Sequence, residues 1–96
     1  MFDATDEQIR KALVSLAIEH TLLEIGKPVL DKVTSRLLVK YHCYIPDCYE
    51  KPEYLKKVLK ELFGKSHTEI TEKIKNRLQE FSSEEPIKHF IEVIIF

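Results

Sequence analysis

The residue types most able to do chemistry in this chain are two cysteines and a histidine in one short stretch. Cys43 and Cys48 are separated by four residues, and His42 directly precedes the first of them. A structural zinc ion usually has four ligands in two close pairs, and the sequence has neither a second cysteine pair nor a redox C-x-x-C motif. The pattern favours ordinary half-buried thiols over a loop disulfide or a metal site, and we predict no cofactor.

His20 is the other candidate for proton transfer or ligand binding. It falls among the apolar residues of a predicted helix, and we assign it no carboxylate, serine or cysteine partner from local spacing. General acid–base and nucleophilic catalysis both need such a partner within hydrogen-bond reach. The sequence also lacks the glycine-rich loops that hold phosphate groups. We therefore interpret His20 as a core or interface residue and predict that the protein is not an enzyme.

A cluster of basic residues supplies the main alternative function. The predicted third and fourth helices are joined by a short turn that contains glycine, as in helix-turn-helix domains that bind DNA. The residues that would approach a nucleic-acid backbone are Lys65, Lys73, Lys75 and Arg77. Projection of the fourth helix at about 100° per residue puts Lys73 near two glutamates and Lys75 on another side. Intrahelical ion pairs are therefore favoured over one basic stripe, and nucleic-acid binding is the second hypothesis.

The composition is that of one small globular domain, which we assign to residues 1–96. The chain is 44% hydrophobic and 32% charged, and its formal net charge is −1. Residues 51–79 carry eight basic against four acidic side chains, whereas both ends are acidic. This basic middle either offers a weak surface to an anionic partner or is neutralised when the ends pack beside it.

The pattern of hydrophobicity predicts a cytoplasmic protein without a membrane partner. No apolar run approaches the roughly 18 residues that a membrane span requires. The N-terminal residues are acidic, where a signal peptide would be basic and then apolar.

Apolar residues recur at three- and four-residue spacing through most of the chain, and this period predicts α-helices. Capping-box patterns at Thr5 and Ser66 mark two helix starts, glycines at 26 and 64 mark two ends, and prolines open the other helices. The predicted fold is an all-α, compact bundle of about five helices, at approximately 5–25, 28–42, 52–63, 67–81 and 86–95. Residues 42–51 are predicted to form the longest loop.

The first helix is apolar on two opposite faces. The face predicted to pack on the core carries Ile9, Ala12, Leu13, Leu16, His20 and Leu23. The second face carries Val14, Ile18 and Leu22. A peripheral helix needs only one buried face, so we expect the second face to lie at the centre of the domain or in a dimer interface.

The last segment is also unusually apolar. Its spacing predicts a helix, although the final Val-Ile-Ile-Phe run leaves a short strand as the alternative. Seven of the last ten residues are apolar, so the segment must be covered by its own core or by a second copy. We predict a non-enzymatic helical interaction or signalling output module, whose partner is another protein or a second copy of itself. Its predicted contact residues are Val14, Ile18, Leu22, Phe90, Ile94 and Phe96.

The order of features from residue 22 to residue 78 resembles a known family. The matching stretches read LEIGKPV at 23–29, LLVKY at 37–41, KPEYL at 51–55 and LKELFG at 59–64, with a proline-containing loop between the second and third. This arrangement resembles the small archaeal domains called Nitrosopumilus output domains, which occur alone or attached to sensory and signalling modules. The resemblance implies a compact helical output or interaction module, and it implies no catalytic residues. The Cys43–Cys48 loop and the apolar terminus after Pro86 are not features of that family.

Overall fold

The computed structural model describes the backbone of residues 2–96 and the side chains of residues 6–96. It contains five α-helices: α1 (Phe2–Ile25), α2 (Lys27–Tyr41), α3 (Pro52–Phe63), α4 (His67–Leu78) and α5 (Glu85–Ile95). Short 3-10 helices occur at Ile45–Tyr49, Gly64–Ser66 and Gln79–Phe81. The predicted all-α bundle is confirmed. The terminal segment is helical to Ile95, so the strand alternative is wrong.

The helix starts agree with the sequence signals only in part. Proline occupies the first turn of α2, α3 and α5, where its missing N–H costs no intrahelical bond. Helix α1 begins at Phe2, so Thr5 lies inside the helix and not at its start; the Thr5 side chain is outside the described part. Helix α4 follows Ser66 as predicted, but the Ser66 side chain makes no capping bond.

The turn before α4 is closed by other side chains. The hydroxyl of Thr68 donates to the carbonyl of Lys65 at 3.0 Å, and Nδ1 of His67 lies 2.7 Å from the carbonyl oxygen of Gly64. The fourth helix also ends earlier than predicted, because the chain tightens into a 3-10 turn after Leu78.

Helix α2 ends at a residue in the left-handed conformation. His42 has φ 52° and ψ 41°, its N–H donates to the carbonyl of Leu38 at 3.0 Å, and the N–H of Cys43 donates to that of Leu37 at 3.3 Å. The bond from His42 is the one that defines an αL-type helix end, and the bond from Cys43 satisfies a second carbonyl as the chain turns away from the helix axis. It directs the following residues, including the 3-10 helix Ile45–Tyr49, back against α1.

Helix α1 is the central element of the core. One side of it packs against α2, α4, α5 and the 3-10 helix Ile45–Tyr49. On that side Val14, Ile18 and Leu22 are fully buried. The neighbouring Ala17 and Thr21 are small and buried as well, so the adjacent elements can approach α1 closely.

Of the two places predicted for the second α1 face, the structure has it at the centre of the domain and not in a dimer interface. The second face forms the core, whereas Ile9, Leu16 and Leu23 of the predicted core face remain 53%, 49% and 45% exposed. Both faces have the same helical period, so periodicity alone could not tell them apart. The small side chains of Ser15 and Ala17, which lie beside Val14 and Ile18, are also buried. The buried part of the helix surface is therefore broader than this one row of apolar residues.

Most of the predicted contact residues are thus corrected to core residues. Val14, Ile18 and Leu22 are joined in the core by Phe90 and Ile94 of α5, all with no exposed surface, so they are unavailable to a partner. The reason is that α5 packs its apolar face between α3 and α4. Phe96 is the exception, because its side chain is 89% exposed.

Candidate interaction surface

One face of α1 carries several exposed apolar side chains. We call it the outer α1 face, and its residues are Ile9, Ala12, Leu16, His20 and Leu23. They lie three or four positions apart, so at about 100° per residue they share one stripe. All five are exposed, and at about 1.5 Å per residue the stripe is roughly 21 Å long. The structure thus leaves aliphatic side chains uncovered at i, i+7 and i+14.

One flank of the outer α1 face is shallow and mixed in character. A surface hollow of about 600 Å³ is lined by Ala12, Leu16 and Pro46 together with polar residues. Ser15 donates a hydrogen bond to Oε1 of Glu19 at 3.3 Å, which holds that carboxylate along its own helix. The hollow therefore combines a few apolar side chains with polar side chains around them.

The other flank carries an ion pair to α4. Nη2 of Arg77 lies 2.6 Å from Oε1 of Glu24, and this hydrogen bond, with the nearby charges, lowers the pKa of Glu24. His20 borders the same spot, so it does have a carboxylate neighbour, contrary to the expectation from local spacing. Because Arg77 already engages Glu24, this flank presents a matched pair of charges.

The basic residues proposed for nucleic-acid binding do not form one surface. Lys75 lies 3.7 Å from Glu72 within α4, and Arg77 reaches across to α1. Lys65 belongs to the turn before the helix. The exposed side of α4 also presents Glu69 and Glu72 in its first two turns, the part of a recognition helix that would enter the negatively charged major groove. This arrangement disfavours the helix-turn-helix hypothesis.

The two cysteines are buried more deeply than predicted. Cys43 is 3% exposed and Cys48 is fully buried, and both are free thiols. Both sulfur atoms are directed at the carbonyl oxygen of Tyr44, at 3.4 and 3.8 Å. Burial raises the pKa of each thiol, and that of Cys48 most strongly. Neutral, enclosed thiols of this kind are poor nucleophiles.

The candidate metal and proton-transfer residues are not brought together. The thiols of Cys43 and Cys48 are directed at the carbonyl of Tyr44 in their own loop. His20 is exposed on α1 and borders Glu24 and Arg77. Among the residues whose side chains are described, no three His, Cys, Asp or Glu side chains are grouped to hold a metal ion.

Sequence reasoning missed a polar cluster centred on Arg10. Its guanidinium donates to the hydroxyl of Tyr49 at 3.3 Å, to Oε1 of Glu84 at 3.2 Å and to Oε2 of Glu7 at 2.7 Å. The bond from Arg10 lowers the pKa of Glu7, and the same bond raises that of Arg10. Tyr49 and Glu84 are 39 and 74 positions from Arg10, so local spacing could not reveal the cluster.

Comparison with family models, with curated proteins and with solved structures gives no match to this chain. The resemblance to Nitrosopumilus output domains therefore stays a prediction. None of the described helices is both long and apolar enough to cross a membrane.

Proposed function

We propose that this protein is a non-enzymatic helical interaction module that associates with a second copy of itself through the outer α1 face. The observation that carries the proposal is the row of exposed Ile9, Leu16 and Leu23, with Ala12 and His20 between them, on a helix whose opposite side fills the core. Exposed apolar surface on a globular domain is typical of interaction sites. The resemblance to output domains of signalling proteins is consistent with such a role.

The symmetry of the stripe favours a second copy as the occupant. A two-fold dimer needs a surface that is complementary to itself. Ile9 and Leu23 each lie seven residues from Leu16, and Ala12 and His20 each lie four residues from it. If two α1 helices pair in antiparallel orientation about Leu16, Ile9 of one copy meets Leu23 of the other. The small Ala12 then faces the larger His20, which leaves space for its ring.

The apolar area available limits the strength of this association. Covering a half-exposed leucine or isoleucine gains roughly 1 kcal/mol, so the three aliphatic residues of both copies together gain about 6 kcal/mol. Association also costs several kcal/mol of translational and rotational freedom. A gain of about 6 kcal/mol alone corresponds to a Kd of about 40 µM, so with this cost we infer a weak, reversible dimer that forms only at high micromolar or millimolar concentration.

The cellular setting proposed for this module is the cytoplasm. Two free, buried thiols five positions apart in the chain fit a reducing compartment, where disulfides rarely form. No anionic partner is proposed, because the outer face of α4 carries glutamates beside its lysines.

Sedimentation equilibrium over a range from about 5 to 500 µM tests the proposal. We expect a monomer–dimer equilibrium, and we expect Leu16→Glu to abolish the dimer because it places a charge at the centre of the stripe. Val39→Glu is the matched control, since Val39 is 73% exposed on α2 and lies outside the stripe. A wild-type chain that stays monomeric at the highest concentration, or a dimer that survives Leu16→Glu, would refute the proposed function.

A further inference from the structure

A second surface feature lies between the first half of α1 and the chain that leads into α5. It is a cleft of about 420 Å³ with an apolar floor and an acidic rim. The floor is formed by Ile9, Leu13 and Phe81, with the buried Ile87 behind them. The rim carries the carboxylates Asp6, Glu80 and Glu84. We call this feature the acidic cleft.

The floor of the acidic cleft is continuous with the core. Ile87 is fully buried, and Leu13 and Phe81 are half-buried against the core residues. An apolar side chain that enters the cleft therefore packs on a firm surface and not on a mobile loop. The cleft volume is at the small end of the range for ligand pockets, and its mouth is open, which suits a few side chains of a longer partner.

The charges of the rim are not balanced within the cleft. Three carboxylates line it against the single guanidinium of Arg10. That guanidinium already donates to Glu7, Glu84 and Tyr49, and one of these partners, Glu7, lies outside the cleft lining. Asp6 and Glu80 have no comparable cationic partner among the described ion pairs, which leaves an excess of negative charge around an apolar floor.

We propose that the acidic cleft binds a cationic amphipathic helix of another protein. Two aliphatic side chains at i and i+4 lie about 6 Å apart on such a helix, so both can reach the floor. Lysines or arginines on either side of them then meet Asp6, Glu80 and Glu84. Complementary charge at the rim raises the association rate and selects against acidic partners, whereas the apolar contact slows dissociation. This site shares Ile9 with the outer α1 face but does not include Leu16, the centre of the proposed dimer contact, and binding there does not depend on the dimer.

A designed peptide tests this inference directly. The probe is a fluorescein-labelled helix of leucine and lysine in an amphipathic pattern, and its binding is followed by fluorescence anisotropy in low salt and in about 0.5 M salt. We expect saturable binding in low salt that weakens in high salt. A peptide of the same pattern with glutamate in place of lysine should not bind.

Two variants locate the binding on the protein. Glu80→Lys and Ser83→Lys each place a cation on the rim at an exposed position, and we expect each to weaken binding about tenfold. Glu92→Lys on the exposed side of α5 gives the same change in net charge as Glu80→Lys and should leave binding unchanged. Circular dichroism checks that each variant keeps its helical fold.

Three results would overturn the inference. They are no binding of the leucine–lysine helix in low salt, equal binding of the leucine–glutamate helix, and unchanged binding by both rim variants. Leu16→Glu separates the two proposals, because the peptide should still bind this variant. If Leu16→Glu removes peptide binding and Glu80→Lys does not, the peptide occupies the outer α1 face and the acidic cleft is not its site.

Discussion

At the scale of single residues, the cysteines that look reactive in the sequence and the Arg10 cluster that the sequence does not reveal both serve the fold. Cys43 and Cys48 close the loop between α2 and α3 by directing their thiols at one carbonyl, that of Tyr44. Arg10 ties α1 to the 3-10 helix through Tyr49 and to the start of α5 through Glu84. Each of these groups is positioned by contacts to its own chain, which is consistent with a structural role.

The buried thiols make the stability of the fold depend on pH in the alkaline range. In the unfolded chain they ionise near the ordinary pKa of 9.0, whereas burial raises the pKa of both in the folded chain. Above about pH 8.5 the unfolded state therefore binds fewer protons, and the free energy of unfolding falls as the pH rises. Each thiol that ionises only on unfolding contributes a slope of about 1.4 kcal/mol per pH unit.

Urea unfolding between about pH 8 and pH 10 measures this slope. The double variant Cys43→Ala, Cys48→Ala should start from a lower stability, because it leaves cavities, but should lose stability less steeply with pH. Tyr49 also has a raised pKa, caused mainly by burial, and it maintains a residual slope in both proteins. Identical slopes for the wild type and the double variant would contradict the role assigned to the thiols.

At the scale of elements, α1 contributes one face to the core and the opposite face to the proposed contact surface. Its 24 residues carry one apolar stripe that four other elements cover and another that they leave exposed. The faces differ in what lies beside them: small buried Ser15, Ala17 and Thr21 flank the inner stripe. The hydroxyl of Thr21 donates to the carbonyl of Ala17 at 2.8 Å, so even this polar group is satisfied inside the core.

Alanine substitutions on the two faces of α1 should lower the free energy of unfolding by very different amounts. Ile18→Ala removes a fully buried side chain and should lower the free energy of unfolding by about 2 to 5 kcal/mol. Leu16→Ala removes a half-exposed side chain and should cost less than about 1 kcal/mol. Urea unfolding at low micromolar concentration, where the monomer dominates, measures both. A larger cost for Leu16→Ala than for Ile18→Ala would mean that the helix faces are assigned the wrong way round.

The bounds of the helices could be predicted from the sequence more accurately than which face of each helix is buried. Helix bounds at Pro52 and Phe63 agree with the structure because proline and glycine act locally on the backbone. The loop after α2 was predicted to be irregular, yet Ile45, Cys48 and Tyr49 form a buried 3-10 helix against α1. Such packing depends on long-range contacts, and no local spacing in the sequence encodes them.

The same limit applies to the candidate site. The exposed apolar surplus on α1 was predicted, but it was assigned to Val14, Ile18 and Leu22, on the opposite stripe. Phe90 and Ile94 were assigned to a contact surface because the terminal segment is so apolar, whereas α3 and α4 cover them. Which of two apolar faces is covered depends on where the other helices lie, and that is decided only by the whole fold.

At the scale of the whole molecule, the outer α1 face runs along its longest dimension. The protein measures 37 × 25 × 22 Å, and a 24-residue helix is about 36 Å long, so α1 spans nearly the full length. A dimer formed through this face would place two α1 helices side by side and antiparallel. The acidic cleft lies toward one end of the same helix, at Asp6 and Leu13, where the chain leading into α5 approaches it.

Disulfide cross-linking of single-cysteine substitutions tests the dimer at Leu16, where antiparallel pairing brings the same residue of both copies face to face. Two helices packed 8 to 10 Å apart bring facing Cα atoms to about 5 Å, which a disulfide can span. We expect oxidised Leu16→Cys to run as a covalent dimer on a non-reducing gel, and Ile9→Cys to stay monomeric because antiparallel pairing places it opposite Leu23. The wild-type chain gives the background from its two buried thiols. Cross-linking of Val39→Cys but not of Leu16→Cys would contradict the assignment of the outer α1 face as the contact between copies.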